Sequence, residues 1–304
     1  MHAKDAKHLK KIAILTIPIS VIVLIIKYLA YYFTESVAFY SDALESIVNV
    51  VGAFILWWTI YVSHKPADVD HPYGHHKVEY FSAGLESMLI IVAACAIMHQ
   101  AYDSFITSKA LQEVNVGLLL NVAASIINGL WAFYVFREAK KKRSAALKAT
   151  SVHILGDVLT SMGILIGVFI GYMTNISYID PVIAFIVALH ILWQGWKILY
   201  QSIQGLMDAS LDFKETMQIR EIISTKAYEA LEVHDLRTRI AGRAVFIEFH
   251  LVVPSNMYVK DAHEICDRIE DALKENLGEV HVLIHIEPEE EAKLPLGTKA
   301  IPFA

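Results

Sequence analysis

Residues 36–53 read SVAFYSDALESIVNVVGA, an apolar helix-length stretch interrupted by Asp42, Glu45, Ser46 and Asn49. At 100° per residue these four fall at about 0°, 300°, 40° and 340°, which is one narrow polar face. Glu45 and Asn49 stand at i, i+4, so their side-chain oxygens project side by side. An ionisable group at the centre of a membrane helix costs about 2.5–3.5 kcal/mol on insertion scales, so such groups tend to mark function.

The surroundings say that this stretch is a membrane span. Of the 304 residues, 55% are hydrophobic and 19% charged, with a mean hydropathy of +0.44. An ordinary soluble chain has about 45–50% apolar and about 25% charged residues. A helix needs about 20 mostly apolar residues to cross the hydrocarbon core. Six stretches qualify: 12–33, 37–62, 80–106, 116–136, 149–173 and 179–201. Lys4, Lys7, Lys10, Lys11, Lys65, Lys77, Arg137, Lys140, Lys141, Lys142, Arg143 and Lys148 flank one side, and only Lys109 flanks the other. The excess of cationic residues places both termini in the cytoplasm of a cell inner membrane. The first apolar run is too long for a signal-peptide core and lacks a small-residue cleavage site.

The fifth span repeats the pattern of the second, with His153 and Asp157 at i, i+4. Two such pairs on neighbouring helices would set three or four N and O donors around one point, as a tetrahedral divalent site requires. Glu45 and Asp157 supply two negative charges, His153 binds as neutral imidazole, and Asn49 adds a neutral oxygen. A divalent cation makes that set neutral, which lowers the cost of holding it in a low dielectric. Protons would compete for the same oxygens, the physical basis of antiport. The plain alternative is hydrogen bonding between helices. That reading suits Lys27, Asn121, Asn128 and His190, expected here to be isolated packing or snorkelling residues.

The remainder reads as a soluble domain: a helix over 211–231, strands over 233–240 and 244–253 joined by a turn at 241–243, a helix over 259–276 and a strand over 280–286. The α-β-β-α-β order suggests an open-faced sandwich with its helices on one face of the sheet. The expected division is a transmembrane domain over 1–204, a cytoplasmic domain over 205–291 and a flexible tail over 292–304. The net charge of −6 gives no reason to expect nucleic-acid binding. Cys95 and Cys266 form no CxxC pair, and no thiolate is placed for Cu(I).

The motifs resemble those of the cation diffusion facilitator family over nearly the whole chain. The second span resembles its Ser-Val-Ala-Leu-Leu-Ala-Asp-Ala-x-x-Ser signature. PADVDHPYGHHKVE at 66–79 resembles its Pro-Ala-Asp-x-x-His loop, and ATSVHILGDVLTSMG at 149–163 its His-x-x-x-Asp segment. The resemblance implies a ferredoxin-like cytoplasmic domain and a homodimer that exports divalent metal in exchange for protons by alternating access. It implies a transport site at Glu45, Asn49, His153 and Asp157, and a loop site at Asp68, His71 and His75. It also implies a cytoplasmic two-metal site at the dimer interface from His234, His250, His263, His285 and Glu287, which would sense metal. A dimer pivot of Lys77 with Asp208 completes the set. Many relatives carry Asp or His followed by Asp where this chain has Glu45 and Asn49. Asp42 belongs to the signature without usually being a ligand, and here it is a candidate to compensate for Asn49. Zinc or ferrous iron is the expected cargo, with manganese or cobalt tolerated by the oxygen-rich set.

Two other classes fit the sequence less well. A membrane-anchored metal sensor would not need ionisable pairs in its spans. An intramembrane metallohydrolase would need a general base and a motif such as HExxH, which is absent; the chain is not expected to be an enzyme. A channel would call for a carbonyl or Gly-rich filter, and none is visible.

Overall fold

The computed structural model describes residues 3–63, 65–107, 113–142, 145–174, 176, 178–242 and 244–293. It divides into two compact units, Met1–Ser202 and Ile203–Ala304. The expected tail lies almost wholly outside the described residues, as does Arg243 of the expected turn.

The first unit is built from α1 (Ala3–Thr34), α2 (Val37–Ser63), α3 (Val78–Thr107), α4 (Val114–Lys142), α5 (Ala145–Thr174) and α6 (Ile179–Leu206). All six are long and apolar enough to cross a membrane. Their burial is inverted relative to a soluble bundle. Trp57, Trp58, Leu130, Phe133, Trp193 and Trp196 face outward, while Lys27, Asp42, Glu45, Asn121, Asp157 and Ser161 are buried. An apolar exterior of that extent is tolerable only in contact with lipid.

Helix α1 packs on α2 and α4, α4 packs on α5, and α2 packs on α3 and α5. The start of α2 is fixed from a distance. Ser36 accepts from the Phe39 N–H at 3.2 Å and donates to Asp180 Oδ1 at 2.5 Å. The Val37 N–H donates to Asp180 Oδ2 at 2.7 Å. Helix termini leave backbone amides unpaired, and no water is available inside a bilayer to satisfy them. The first turn of α6 therefore caps α2, which sets the depth of every polar residue on α2.

In the second unit α7 (Phe213–Lys226) is shorter than the helix expected over 211–231. Asp212 caps its start by accepting from the Glu215 N–H at 2.7 Å. Its end is fixed by Arg268, which donates to the Lys226 carbonyl at 2.9 Å and covers the Tyr228 ring at 3.9 Å. Strands β1 (Glu232–Ala241), β2 (Ala244–Val253) and β3 (Val280–Pro288) form a sheet in the order β1-β2-β3, antiparallel then parallel. Helix α8 (Val259–Leu277) makes the crossover between β2 and β3. Ile247, Phe249, Leu251 and Val253 of β2 point to Ile219 and Ile223 of α7 and Ile265, Ile269 and Leu273 of α8. Strand alternation then turns Phe246, Glu248, His250 and Val252 to the helix-free face.

Candidate functional site

The two i, i+4 pairs meet. Asn49 Nδ2 donates to Asp157 Oδ2 at 2.6 Å, and His153 Nε2 lies 3.2 Å from Asn49 Oδ1. Thr160 of α5 donates to Glu45 Oε2 at 3.3 Å. Glu45 is 7% exposed and Asp157 1% exposed. A small cavity opens beside them. Glu45, Asn49, His153 and Gln194 form its polar lining, and Val48, Ile90, Ala93 and Ile191 form its apolar wall. The arrangement offers carboxylate, amide and imidazole donors from two helices at one point, the chemistry of a first-row divalent site.

Asp42 does not join that set. Its Oδ1 takes Lys27 Nζ at 2.7 Å and Ser161 Oγ at 2.7 Å, and its Oδ2 accepts from Asn121. Lys27 Nζ also donates to Ser161 Oγ at 2.9 Å. All four residues are 0% exposed. This corrects the expectation of an isolated, snorkelling Lys27 and an isolated Asn121. Lys27 is the cation of a buried ion pair linking α1 to α2, with α4 and α5 supplying the remaining hydrogen bonds. Lys27 cancels the charge of Asp42, and Glu45 and Asp157 are left to balance a cation.

The loop residues also converge. His71 Nδ1 lies 3.1 Å and His75 Nε2 3.4 Å from the two oxygens of Asp68, and the imidazole centres are 4.5 Å apart. A left-handed Gly74, at φ +82°, turns the chain so that both rings reach the same carboxylate. The backbone N–H of His71 holds the Asp68 carboxyl below the usual carboxylate range, which keeps it charged. His75 Nδ1 is buried without a hydrogen-bond partner among the described residues.

In the second unit the register aligns His234 with His250 and His250 with His285, a row across the helix-free face. Their ring centres are spaced at 5.2 and 4.9 Å. Glu287 reaches back along the row: its oxygens lie 3.1 Å from His234 Nε2, 2.7 Å from His250 Nδ1 and 3.8 Å from His285 Nε2. Glu287 Oε2 and His250 Nδ1 are buried and make no hydrogen bond among the described residues. Donors crowded together yet not bonded to one another fit a cation between them. His234 Nδ1 contacts Glu232 at 2.9 Å, which orients the ring so that Nε2 faces the row. His263 is not brought to this group. It sits on α8, covering the other face of the sheet, and its ion-pair partner is Asp267 on its own helix, at 3.7 Å. Asp208 is paired with Arg239 at 3.3 Å within the second unit.

Residues 13–207 match the cation efflux transmembrane domain, and residues 211–289 match the cytoplasmic domain of cation efflux proteins. The chain belongs to the cation efflux family, the cation diffusion facilitators. It is 37% identical over 281 residues to the uncharacterised transporter sll1263 of Synechocystis, covering 92% of this chain and 91% of that one. It is 28% identical to the cation-efflux pump FieF of Serratia proteamaculans and to that of Yersinia pestis, with 95% of each chain covered. A solved chain of CzrB in a zinc form is 43% identical over 28% of this chain and 97% of that one, with a TM-score of 0.27. This cation efflux protein is thus a multi-pass membrane transporter with a cytoplasmic C-terminal domain, and not an enzyme.

Three residues beside the cation efflux motifs escape the sequence reading. Thr160 follows Asp157 by three positions, the spacing that puts its hydroxyl on the same helix face. Gln194 of α6 lies 2.7 Å from His190 Nε2, one turn earlier on the same helix, so His190 is not the isolated residue expected, and this i, i+4 polar pair was the available signal. Glu86 of α3 lies in no motif, and its position against Gly52 is visible only in the fold.

Cys266 takes no part in any of the three metal-type clusters. It is buried, and that burial pushes its thiol up to about 11. The thiol is therefore neutral at pH 8. Iodoacetamide at that pH should leave the Cys266 peptide unmodified in the native protein and label it after unfolding, as read by mass spectrometry. Rapid labelling of native Cys266 would contradict the packing of α8.

Proposed function

We propose that this protein exports divalent transition-metal cations from the cytoplasm in exchange for protons by alternating access, working as a homodimer in the cell inner membrane with both termini cytoplasmic. The observation that carries the reading is the convergence of Glu45, Asn49, His153 and Asp157 from two i, i+4 pairs inside an apolar bundle. Two carboxylates facing each other across such a site can be neutralised either by one divalent cation or by protons, and that exchange is the antiport cycle. The division of labour is a transmembrane domain over 1–204 and a metal-binding, dimerising cytoplasmic domain over 205–291.

Zinc or ferrous iron is the proposed cargo. One imidazole with carboxylate and amide oxygens suits both, and the oxygen-rich set admits manganese and cobalt. Asp68, His71 and His75 hold metal at the cytoplasmic loop. His234, His250, His285 and Glu287 hold it on the sheet, with His263 available only from elsewhere in the assembly. Lys77 and Asp208 serve as the dimer pivot. Metal on the cytoplasmic domain biases the transport equilibrium through its differential affinity for the two states.

The test is uptake of Zn²⁺, Fe²⁺, Mn²⁺ and Co²⁺ into proteoliposomes under an imposed pH gradient. Uptake driven by the gradient, with one or two ions preferred, is the expected result. No movement of any ion by a folded protein whose soluble domain still binds metal would favour a membrane-anchored sensor.

A further inference from the structure

Glu86 lies on α3, eight residues in from Val78 and so about 12 Å along the helix. Its carboxylate has no hydrogen bond among the described residues. It nests against the bare Cα of Gly52 on α2, where a Cβ would come within 2.7 Å of Glu86 Oε1. Gly52 follows Asn49 by three residues, which places the carboxylate about one turn from Asn49 toward the cytoplasmic end of α2. Ile90 and Ala93, at i+4 and i+7 from Glu86, line the cavity that holds Glu45, Asn49 and His153. Glu86 is thus on the stripe of α3 that faces the site, close enough for its charge to act on His153 and Asp157.

An unpartnered carboxylate inside a membrane bundle is a cost to the fold. Asp42 and Asp180, the buried acids of the first unit outside the site, are each held by several donors. Glu86 is half-buried and held by none among the described residues, and a glycine on the facing helix leaves it room. We propose that Glu86 is a docking ligand for the cation on the cytoplasmic side of the site. With His153 it receives the ion before the ion settles between Glu45 and Asp157. A third helix thereby contributes the carboxylate that Asn49 does not, and the chemistry selected is a divalent cation that accepts oxygen donors. This inference rests on the transport reading of the Glu45–Asp157 site.

Two variants test it in proteoliposomes supplied with Zn²⁺ or Mn²⁺ over a concentration series. E86Q keeps the shape and removes the charge. G52A keeps the charge and displaces the carboxylate. Both should raise the half-saturating cation concentration, E86Q by about tenfold, with a smaller effect on the maximal rate. E86Q should leave the apparent Tm of the purified protein unchanged or higher, since a packing residue would lower it. Unchanged half-saturation in both variants overturns the proposal, provided the wild type transports and Asp157→Ala does not. A fall in Tm and maximal rate with half-saturation unchanged overturns it in favour of a packing role. Absence of transport by the wild type removes the reading of the site itself, and this inference with it.

Discussion

Asp157→Asn is expected to lower gradient-driven cation uptake by at least about a hundredfold, while metal binding by the cytoplasmic domain is unaltered. Even residues that merely orient metal ligands cost about 10–100-fold when removed, and Asp157 is the better placed of the two carboxylates to be a ligand itself. It is 1% exposed, on α5, and it meets α2 directly through Asn49 at 2.6 Å. The asparagine variant preserves volume and can still hydrogen-bond Asn49, so loss of packing does not explain a loss of flux. What it removes is one of the two charges that a divalent cation would neutralise. A second consequence follows. With only Glu45 left to exchange protons, any residual uptake should depend less steeply on the imposed pH gradient. Flux within about threefold of wild type would mean that the cation does not pass this point, and the site would be helix-packing glue. Measuring the soluble domain's metal binding in parallel separates a transport defect from a folding one.

The two i, i+4 pairs of α2 and α5 were legible in the sequence because helix periodicity is local. Spacing alone puts Glu45 beside Asn49 and His153 beside Asp157, and a charge in an apolar run is conspicuous. The loop triad was legible because it is also local: Asp68, His71 and His75 lie within eight residues of one another. The histidine row was only half legible. It depends on the pairing of β1 with β2 and of β2 with β3, including an irregularity between His234 and Arg237, where Asp235 takes a positive φ of 52°. No pattern within one strand specifies that register. His263 shows the converse error. Sequence puts a histidine near the start of a helix, but only packing decides which face of the sheet that helix covers. The helix expected over 211–231 was overextended because Arg268, far along the chain, fixes its end. Lys27 and Glu86 were illegible for one further reason. Hydropathy treats a lone charge as a defect in a span, whereas its role is set by a residue on another helix: Asp42 for Lys27, Gly52 for Glu86.

Lys27→Met should destabilise the membrane domain by about 3–5 kcal/mol, the cost of leaving one member of a buried ion pair without its partner. The pair is fully buried, with Lys27 Nζ 2.7 Å from Asp42 Oδ1. Methionine fills most of the volume, so the loss is chiefly electrostatic. Asn121 and Ser161 continue to donate to the stranded carboxylate, which holds the effect toward the lower end of that range. The decisive arm is the double variant Lys27→Met with Asp42→Asn. It removes both charges yet keeps an acceptor for Asn121 and Ser161, and well-made neutral replacements of buried ion pairs are often nearly neutral in stability. Its apparent Tm in detergent should return most of the way to wild type. Flux separates two readings of the pair. If Lys27 and Asp42 only join α1 and α2 to α4 and α5, the double variant should transport at close to the wild-type rate. If the Lys27 charge also tunes the site one turn away, stability will recover while the pH at which uptake is half-maximal stays shifted, because the field on Glu45 and Asp157 has changed. Failure of Asp42→Asn to restore Tm would show that the ion pair is not what holds these four helices together.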